Sequence, residues 1–365
     1  MTTYRIISAD SHVSEPPDLW QQYLEPAFKA RAPYMKREEK GDVFYCEGTS
    51  PRNMGFHGPA GTPSERLKGM TRWDDERNRR GGWDPHARVK DMEVDGVDAE
   101  VLYTSMGMRM FRVKDAPFQR ALFRAYNRWL ADFCHAHPDH LKAIAMLSVA
   151  DIEHAVEDLH EARSLGHVGA MISQTPGSDR PFHSATYDPL WRAAQELEMP
   201  VSLHIGTDSE RSPSDDIMVE YASWPVWVQR SLSTLVLAGV FDRFPKLKLV
   251  SVENDIGWVG NYYQRLDHVY ARQAVYRDIR IKSGRKPSEI LKEQVYFTFM
   301  SDHAGVTTYK IIGEDNVMWS NDYPHIDSTW PHSQEVIARE FAGVPEAAKW
   351  KMLRDNVMRL YKFGG

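Results

Sequence analysis

The stretch Ser8-Ala9-Asp10-Ser11-His12 sets a carboxylate and an imidazole one residue apart, directly after the apolar pair Ile6-Ile7. In an extended strand, residues i and i+2 point to one side, so Asp10 and His12 can aim at one point. The same context, a polar residue just after a short apolar run, recurs along the chain. It gives His204 in "PVSLHIG", Glu253 and Asn254 in "LVSVENDIGW", Asp302 and His303 in "FTFMSDHAG", and Asp322 and His325 in "VMWSNDYPH". Taken singly, none decides anything. A lone His beside a strand is commonly a satisfied core or loop residue, and an Asp after a strand is commonly a helix N-cap, a reading that suits Asp302. Taken together, two imidazoles and two carboxylates are a donor set for Zn²⁺, Mn²⁺, Fe²⁺ or Co²⁺. Such an ion lowers the pKa of a bound water to about 7 or polarises a substrate oxygen, and a nearby carboxylate can then move protons. Cys46 and Cys134 lie far apart and form no metal or redox motif, and no Gly-x-Ser-x-Gly elbow occurs. A structural zinc site and a serine or cysteine hydrolase are therefore disfavoured.

These residues can act together only if the elements carrying them converge. From Asp84 onward, amphipathic stretches such as "DPHARVKDMEVDG" and "FQRALFRAYNRWLADFCHAH" alternate with short apolar runs such as "AEVLYTS" and "LKAIAMLS". With "RIISAD" at the start, the runs number eight, and alternation with helices implies a parallel sheet. Eight such units in 365 residues favour a closed (β/α)8 barrel over an open doubly wound sheet. No G-x-G-x-x-G follows a strand, which weakens the dinucleotide-binding alternative. The C-terminal ends of barrel strands share one rim, where Asp10, His12, His204, Glu253, His303, Asp322 and His325 would meet. Residues 15–82 break the rhythm with Pro-rich, Gly-rich and charged pieces. This segment is expected to be a partly ordered lid or an oligomer contact inserted into a single domain spanning 1–365.

Composition bounds the rest. Hydrophobic residues are 42% of the chain and the net charge is −6, which supplies a core and gives no sign of a nucleic-acid binder. No apolar run reaches the ~20 residues of a membrane span, and the start lacks a signal-peptide pattern. The expectation is a soluble cytoplasmic protein acting on a small molecule, without nucleic acid or membrane, as a homodimer or higher homo-oligomer. Trp258, His325 and Trp330 are candidates for an aromatic, partly polar substrate wall. The arginines of "RWDDERNRRGG" are either carboxylate captors or members of a solvated charge cluster with the neighbouring acids.

The motifs "SADSHVSEP", "PVSLHIG", "VSVENDIGW" and "MWSNDYPHIDSTWP", with the early "GGWDPHARVKDMEVDGVDAEVLY", resemble the amidohydrolase-related branch of the amidohydrolase superfamily. That branch includes aminocarboxymuconate semialdehyde decarboxylase and the resorcylate-type decarboxylases. The resemblance spans nearly the whole chain apart from the segment between Glu15 and Gly82. It implies a distorted (β/α)8 barrel with one divalent metal, zinc or manganese before iron or cobalt. It implies Asp10, His12, His204 and Asp322 as ligands, with Asp322 also shuttling protons. The decarboxylases of the branch usually carry a catalytic His after strand six, where this chain has Glu253. Glu253 is thus open between an extra ligand, a general acid/base and an orienter of a ligand histidine, and His303 is a candidate stand-in. Three functions follow: non-oxidative decarboxylation of a small aromatic or unsaturated acid, metal-dependent hydrolysis of a C–N, C–O or activated C–C bond, and a non-catalytic binding scaffold.

Overall fold

Short β-branched and apolar runs bounded by Asp, Gly and Pro become strands here, and Asp-capped amphipathic runs become the helices between them. The computed structural model describes residues 4–177, 179–208, 217–277 and 279–364. In chain order the strands are β1 (Ile7–His12), β2 (Tyr34–Glu38), β3 (Gly41–Tyr45), β4 (Arg52–Asn53), β5 (Ala99–Tyr103) and β6 (Leu141–Met146). They continue as β7 (Gly169–Ser173), β8 (Val201–His204), β9 (Leu249–Val252), β10 (Val295–Phe299) and β11 (Val317–Trp319). Eight of them form one parallel sheet in the order β1-β5-β6-β7-β8-β9-β10-β11. These eight are buried almost throughout, as parallel strands covered on both faces must be. The helices start where the sequence signals them. Asp84 accepts from the His86 and Ala87 amides ahead of Pro85–Asp95, and Asp115 accepts from the Phe118 amide ahead of Ala116–His135. Gly96, at φ +70°, ends the first of these in the left-handed conformation that favours glycine.

The sheet curls so that the turn after β11 returns to β1. The Asp322 amide donates to the Asp10 carbonyl at 3.1 Å, and the His12 amide donates to the Tyr323 carbonyl at 2.6 Å. Ser8 and Ser11 hydroxyls donate to Asn321 Oδ1 at 3.0 and 2.8 Å. The expected (β/α)8 barrel is therefore present, nearly closed, and its seam runs through the residues flagged for metal binding. The β1–β5 register shifts between Ser8 and Ser11, a bulge that re-aims β1 at its C-terminal end.

The segment between Glu15 and Gly82 is more ordered than expected. Strands β2, β3 and β4 form a three-stranded antiparallel sheet. Its hub is the buried Asp42 carboxylate, which accepts from Arg37 at 3.1 Å, Arg72 at 3.0 Å and the Trp73 amide at 2.9 Å. These strands escape a sequence reading because β2, Tyr-Met-Lys-Arg-Glu, is charged and largely exposed and shows no apolar alternation. No described helix is long and apolar enough to cross a membrane.

Candidate active site

Asp10 and His12 at the end of β1, His204 at the end of β8 and Asp322 just after β11 come together with their side chains almost fully buried. His12 Nε2 lies 3.5 Å from Asp10 Oδ1 and 3.3 Å from Asp322 Oδ1. His204 Nε2 lies 3.5 Å from Asp10 Oδ1 and 3.3 Å from His12 Nε2. The far side of each ring fixes its tautomer. His12 Nδ1 meets the Thr104 carbonyl and His204 Nδ1 the Ile205 carbonyl, each at 2.8 Å. A carbonyl only accepts, so each Nδ1 carries the proton and each Nε2 turns a lone pair inward. Two lone pairs 3.3 Å apart repel, and both oxygens of buried Asp10 lack a hydrogen-bond partner. Leaving such groups unsatisfied costs several kcal/mol by order of magnitude, unless a cation lies among them. The donors therefore fit a divalent transition metal.

The protonation tendencies of these groups agree with this. Burial works against the Asp10 anion, but the neighbouring His12 and His204 rings outweigh it and hold its carboxyl well below the usual range. Burial lowers His12, whereas Asp10 beside it raises His204 against its own burial. Asp322 is pushed up to about 7, chiefly by burial. A bound divalent cation favours both carboxylates as anions and both imidazoles as neutral ligands.

Glu253 follows β9 in the left-handed region at φ +57°, with its amide donating to Thr298 Oγ1 at 2.9 Å. Its Oε2 reaches to 3.9 Å from His12 Nε2 and 3.6 Å from His204 Nε2, and 19% of the side chain is open. Burial, then the charges of Asp322 and Asp10, push its pKa well above the ordinary carboxylate value. His325 stacks on His12 with ring centroids 4.1 Å apart. Its Nδ1 is 2.8 Å from Asp322 Oδ1 and its Nε2 is 2.8 Å from Ser105 Oγ. Burial takes its pKa down to about 4, so the ring is neutral at pH 7. Glu15, the third ionisable residue of the motif "SADSHVSEP", does not join the group. It accepts from Thr104 Oγ1 and from the Met106 and Gly107 amides, the latter two at 2.9 and 3.1 Å. That grip holds the turn whose Thr104 carbonyl and Ser105 hydroxyl serve His12 and His325.

Three candidates from the sequence lie elsewhere. His303 opens a helical turn with 83% of its side chain exposed, 4.0 Å from Glu340. It points away because Asp302 takes the end of β10 for capping, accepting from Gly305 at 2.8 Å and from Ile256 at 2.7 Å. Trp258 donates its indole N–H to the Asn254 carbonyl at 2.6 Å and packs against Tyr262 and Phe297. Trp330 donates to the Asp91 carbonyl at 2.8 Å beneath Arg79. In both cases the buried N–H finds its acceptor in the scaffold, and neither indole lines the cavity at the metal group.

That cavity, about 330 Å³, has Glu253, Asp322 and His325 at its inner end. The insertion supplies Phe56 and Trp73 to its wall, and Trp224 comes from the turn before the helix Pro225–Leu237. Sequence reasoning missed these aromatics. The Trp224-Pro225 pair marks a helix start, but nothing local says that it faces β1. A larger surface cavity of about 820 Å³, bordered by Asp188 and Arg243, contains none of the residues of the buried His–carboxylate group.

Among proteins of known sequence, the gamma-resorcylate decarboxylase of Rhizobium sp. (strain MTP-10005) is 26% identical over 306 residues, 76% of this chain and 87% of that protein. Among solved structures, amidohydrolase map2389c from Mycobacterium avium subsp. paratuberculosis K-10 superposes with a TM-score of 0.78 at 22% identity, covering 99% of this chain and all of the other. The 5-carboxyvanillate decarboxylase of Novosphingobium aromaticivorans DSM 12444, complexed with manganese and 4-hydroxy-3-methoxy-5-nitrobenzoic acid, superposes with a TM-score of 0.71 at 21% identity. That match covers 99% of this chain and 96% of that one. The amidohydrolase family model matches residues 9–363 and so takes in every residue of the buried group; the chain belongs to the amidohydrolase family.

Proposed function

We propose that the protein is a metal-dependent, non-oxidative decarboxylase of a small aromatic acid. The observation that carries this reading is the cavity. It opens from the His–carboxylate group, is walled by aromatic side chains, and has the size of a site for a single substituted ring. Relatives named as gamma-resorcylate decarboxylases support it. Asp10, His12, His204 and Asp322 would hold the cation, with manganese or zinc the first choices for a mixed nitrogen and oxygen set. When bound, the cation would hold the substrate carboxylate and a neighbouring oxygen and draw off charge as it develops.

The chain's own residues do the rest. Asp322, an anion beside the cation, takes up a proton from the substrate acid or from solvent at a carboxyl oxygen, with His325 Nδ1 at 2.8 Å fixing its orientation. That proton passes to the ring carbon bearing the carboxylate. The C–C bond then breaks, its electron pair returns to the ring, and CO₂ leaves. Phe56, Trp73 and Trp224 exclude water and hold the ring plane. A second reading, hydrolysis, draws on Glu253, whose carboxylate sits within 4 Å of both histidines and can act as another proton carrier. The test is CO₂ release from a panel of hydroxybenzoates by manganese- or zinc-loaded protein, run beside amide and lactone hydrolysis. Hydrolysis without CO₂ release would replace the first reading by the second. A metal-free preparation that gains no stability from added divalent ions would favour a binding scaffold.

The segment 15–82 acts as a lid in this reading, since Phe56 and Trp73 reach the cavity from it. The buried, unpaired Cys46 and Cys134 support a cytoplasmic setting. Met218 and Val219, exposed beside the cavity helix, support a homo-oligomer.

A further inference from the structure

The barrel interior beneath the buried histidines is not uniformly apolar. Tyr103, the last residue of β5, is fully buried, and its hydroxyl lies 2.9 Å from Ser202 Oγ and 3.2 Å from the Tyr361 hydroxyl. Ser202 stands on β8, which β6 and β7 separate from β5, so this bond crosses the barrel. Tyr361 is also buried and ends the C-terminal helix Asn356–Tyr361. That helix sits at the opposite end of the barrel from the His–carboxylate group. Asn356 Nδ2 donates to the Glu314 and Val317 carbonyls where β11 begins, each at 2.8 Å. Phe363, just beyond the helix, packs edge-on against Tyr4 ahead of β1, with ring centroids 5.6 Å apart. One phenol therefore reaches up from the floor of the barrel to meet another that reaches down from the rim. They share a core with Met171, Val250 and Met318.

A phenylalanine would fill either position. A hydroxyl buried in such a core costs free energy unless it is bonded, and here three hydroxyls satisfy one another. A bonded chain of this kind fixes orientation as well as volume. What it orients is the Tyr103 ring. Its centroid lies 5.2 Å from that of His204 and 6.1 Å from that of His12, both within the range of aromatic contact. Each imidazole is held at Nδ1 by one hydrogen bond, to the Thr104 or the Ile205 carbonyl, and a ring held at one point can still pivot about it. Among the described residues, Tyr103 alone packs a ring against both. We propose that Tyr103 is a positioning residue for the metal group, and that Tyr361 brings the C-terminal helix into the same role: the Tyr361–Tyr103–Ser202 hydroxyl chain locks the Tyr103 ring against His12 and His204 and so sets the direction in which their Nε2 atoms face the cation. This rests on the assignment of the buried His–carboxylate group as a metal site, and not on which reaction is performed there.

The probe is Co²⁺, whose visible absorption reports ligand geometry, titrated into metal-free full-length protein. Tyr361→Phe removes a single hydroxyl on the C-terminal helix. It should weaken Co²⁺ binding about tenfold, the lower end of the effect of groups that orient metal ligands, and shift the visible bands. Tyr103→Phe and Ser202→Ala break the same chain and should act likewise. Tyr361→Phe combined with Tyr103→Phe should bind no more weakly than either alone, because residues acting as one unit are not additive. Phe363→Leu disturbs the barrel floor without touching the chain, so it should lower the melting temperature and leave both cobalt readouts unchanged. Unaltered bands and affinity in folded Tyr361→Phe and Ser202→Ala would overturn the proposal and make Tyr361 a packing residue like Phe363. Losses that multiply in the double variant would overturn it as well. If the unsubstituted protein binds no Co²⁺, the positioning role and the metal site fall together. Shifted bands in the variants with no CO₂ from any hydroxybenzoate would keep the positioning role and sink the decarboxylase reading. CO₂ release with unshifted variants would do the reverse.

Discussion

Asp322 has two duties in the proposed reaction, and substitution can separate them. Asp322→Asn keeps the side-chain shape and one oxygen able to face a cation, but it cannot hold the transferable proton. Metal content should stay substantial while turnover falls by about two to four orders of magnitude, the usual contribution of a positioned acid or base. Glu253→Gln, assayed beside it, should cost less if Glu253 only orients the histidines and about as much if it carries a proton. Near-normal turnover in metal-replete Asp322→Asn would move the proton to Glu253 or His325. The convergence of Asp10, His12, His204 and Asp322 was legible from sequence because each is a polar residue at or just after the end of an apolar strand. His325 was legible only as a wall residue. Its stacking on His12 and its bond to Asp322 depend on a turn in which Asp322 takes φ +53°, and no pattern of residue types encodes that.

A second residue-scale consequence concerns pH. His167 is fully buried, its Nε2 donates to the Asn127 carbonyl at 2.9 Å, and burial takes its pKa down to about 4. The unfolded chain protonates this residue near 6.5, so between about 6.5 and 4 the unfolded state binds the extra proton. Stability contributed by the neutral ring is thus complete above about 6.5 and is lost as pH falls towards 4. The loss from this one group is about 3 kcal/mol at the bottom of that window. Urea unfolding at pH 7 and pH 4.5 should show the drop, and His167→Phe should flatten it. An unchanged slope in the variant would assign the acid sensitivity to other groups.

At the scale of elements, the eight barrel strands and the helices between them follow from periodicity and capping, and those were readable. The three-stranded sheet of the insertion was not, because its order comes from one buried charge rather than from an apolar stripe. Asp42 gathers Arg37, Arg72 and the Trp73 amide, and Trp73 in turn stacks on His57 with ring centroids 3.7 Å apart. Removing Asp42 leaves two arginines without their shared acceptor and frees the loop that brings Trp73 to the cavity. Asp42→Ala should raise KM several-fold and increase proteolysis within residues 52–73, with metal content unchanged. Unaltered KM and unaltered proteolysis would show that the sheet holds its shape without this hub and has no part in closing the site.

For the whole molecule, the critical place is the seam where β11 returns to β1. Arg88, fully buried, pairs with Glu100 at 2.5 Å. It also donates to the His12 carbonyl at 2.7 Å and the Tyr323 carbonyl at 3.4 Å, and its guanidinium lies 4.4 Å from the centre of the Tyr323 ring. One side chain therefore grips the backbone on both sides of the seam, next to His12 and Asp322, two of the proposed ligands. Burial alone would raise the Glu100 pKa, and Arg88 is the first group opposing it, with Asn321 assisting at 3.3 Å. Replacing a buried pair by apolar groups can be nearly neutral, whereas removing one partner strands the other charge at a cost of about 3–5 kcal/mol. Arg88→Met should therefore destabilise by about that amount, and Arg88→Met with Glu100→Gln by clearly less. The backbone grip gives a further readout. Both variants lose the bonds to the His12 and Tyr323 carbonyls, so both should bind manganese more weakly even where the double variant has recovered its stability. Denaturant unfolding and metal titration on the same preparations decide it. If the double variant regains stability and metal affinity together, Arg88 serves only as a counter-charge, and the seam is held by Ser8, Ser11 and Asn321 without it.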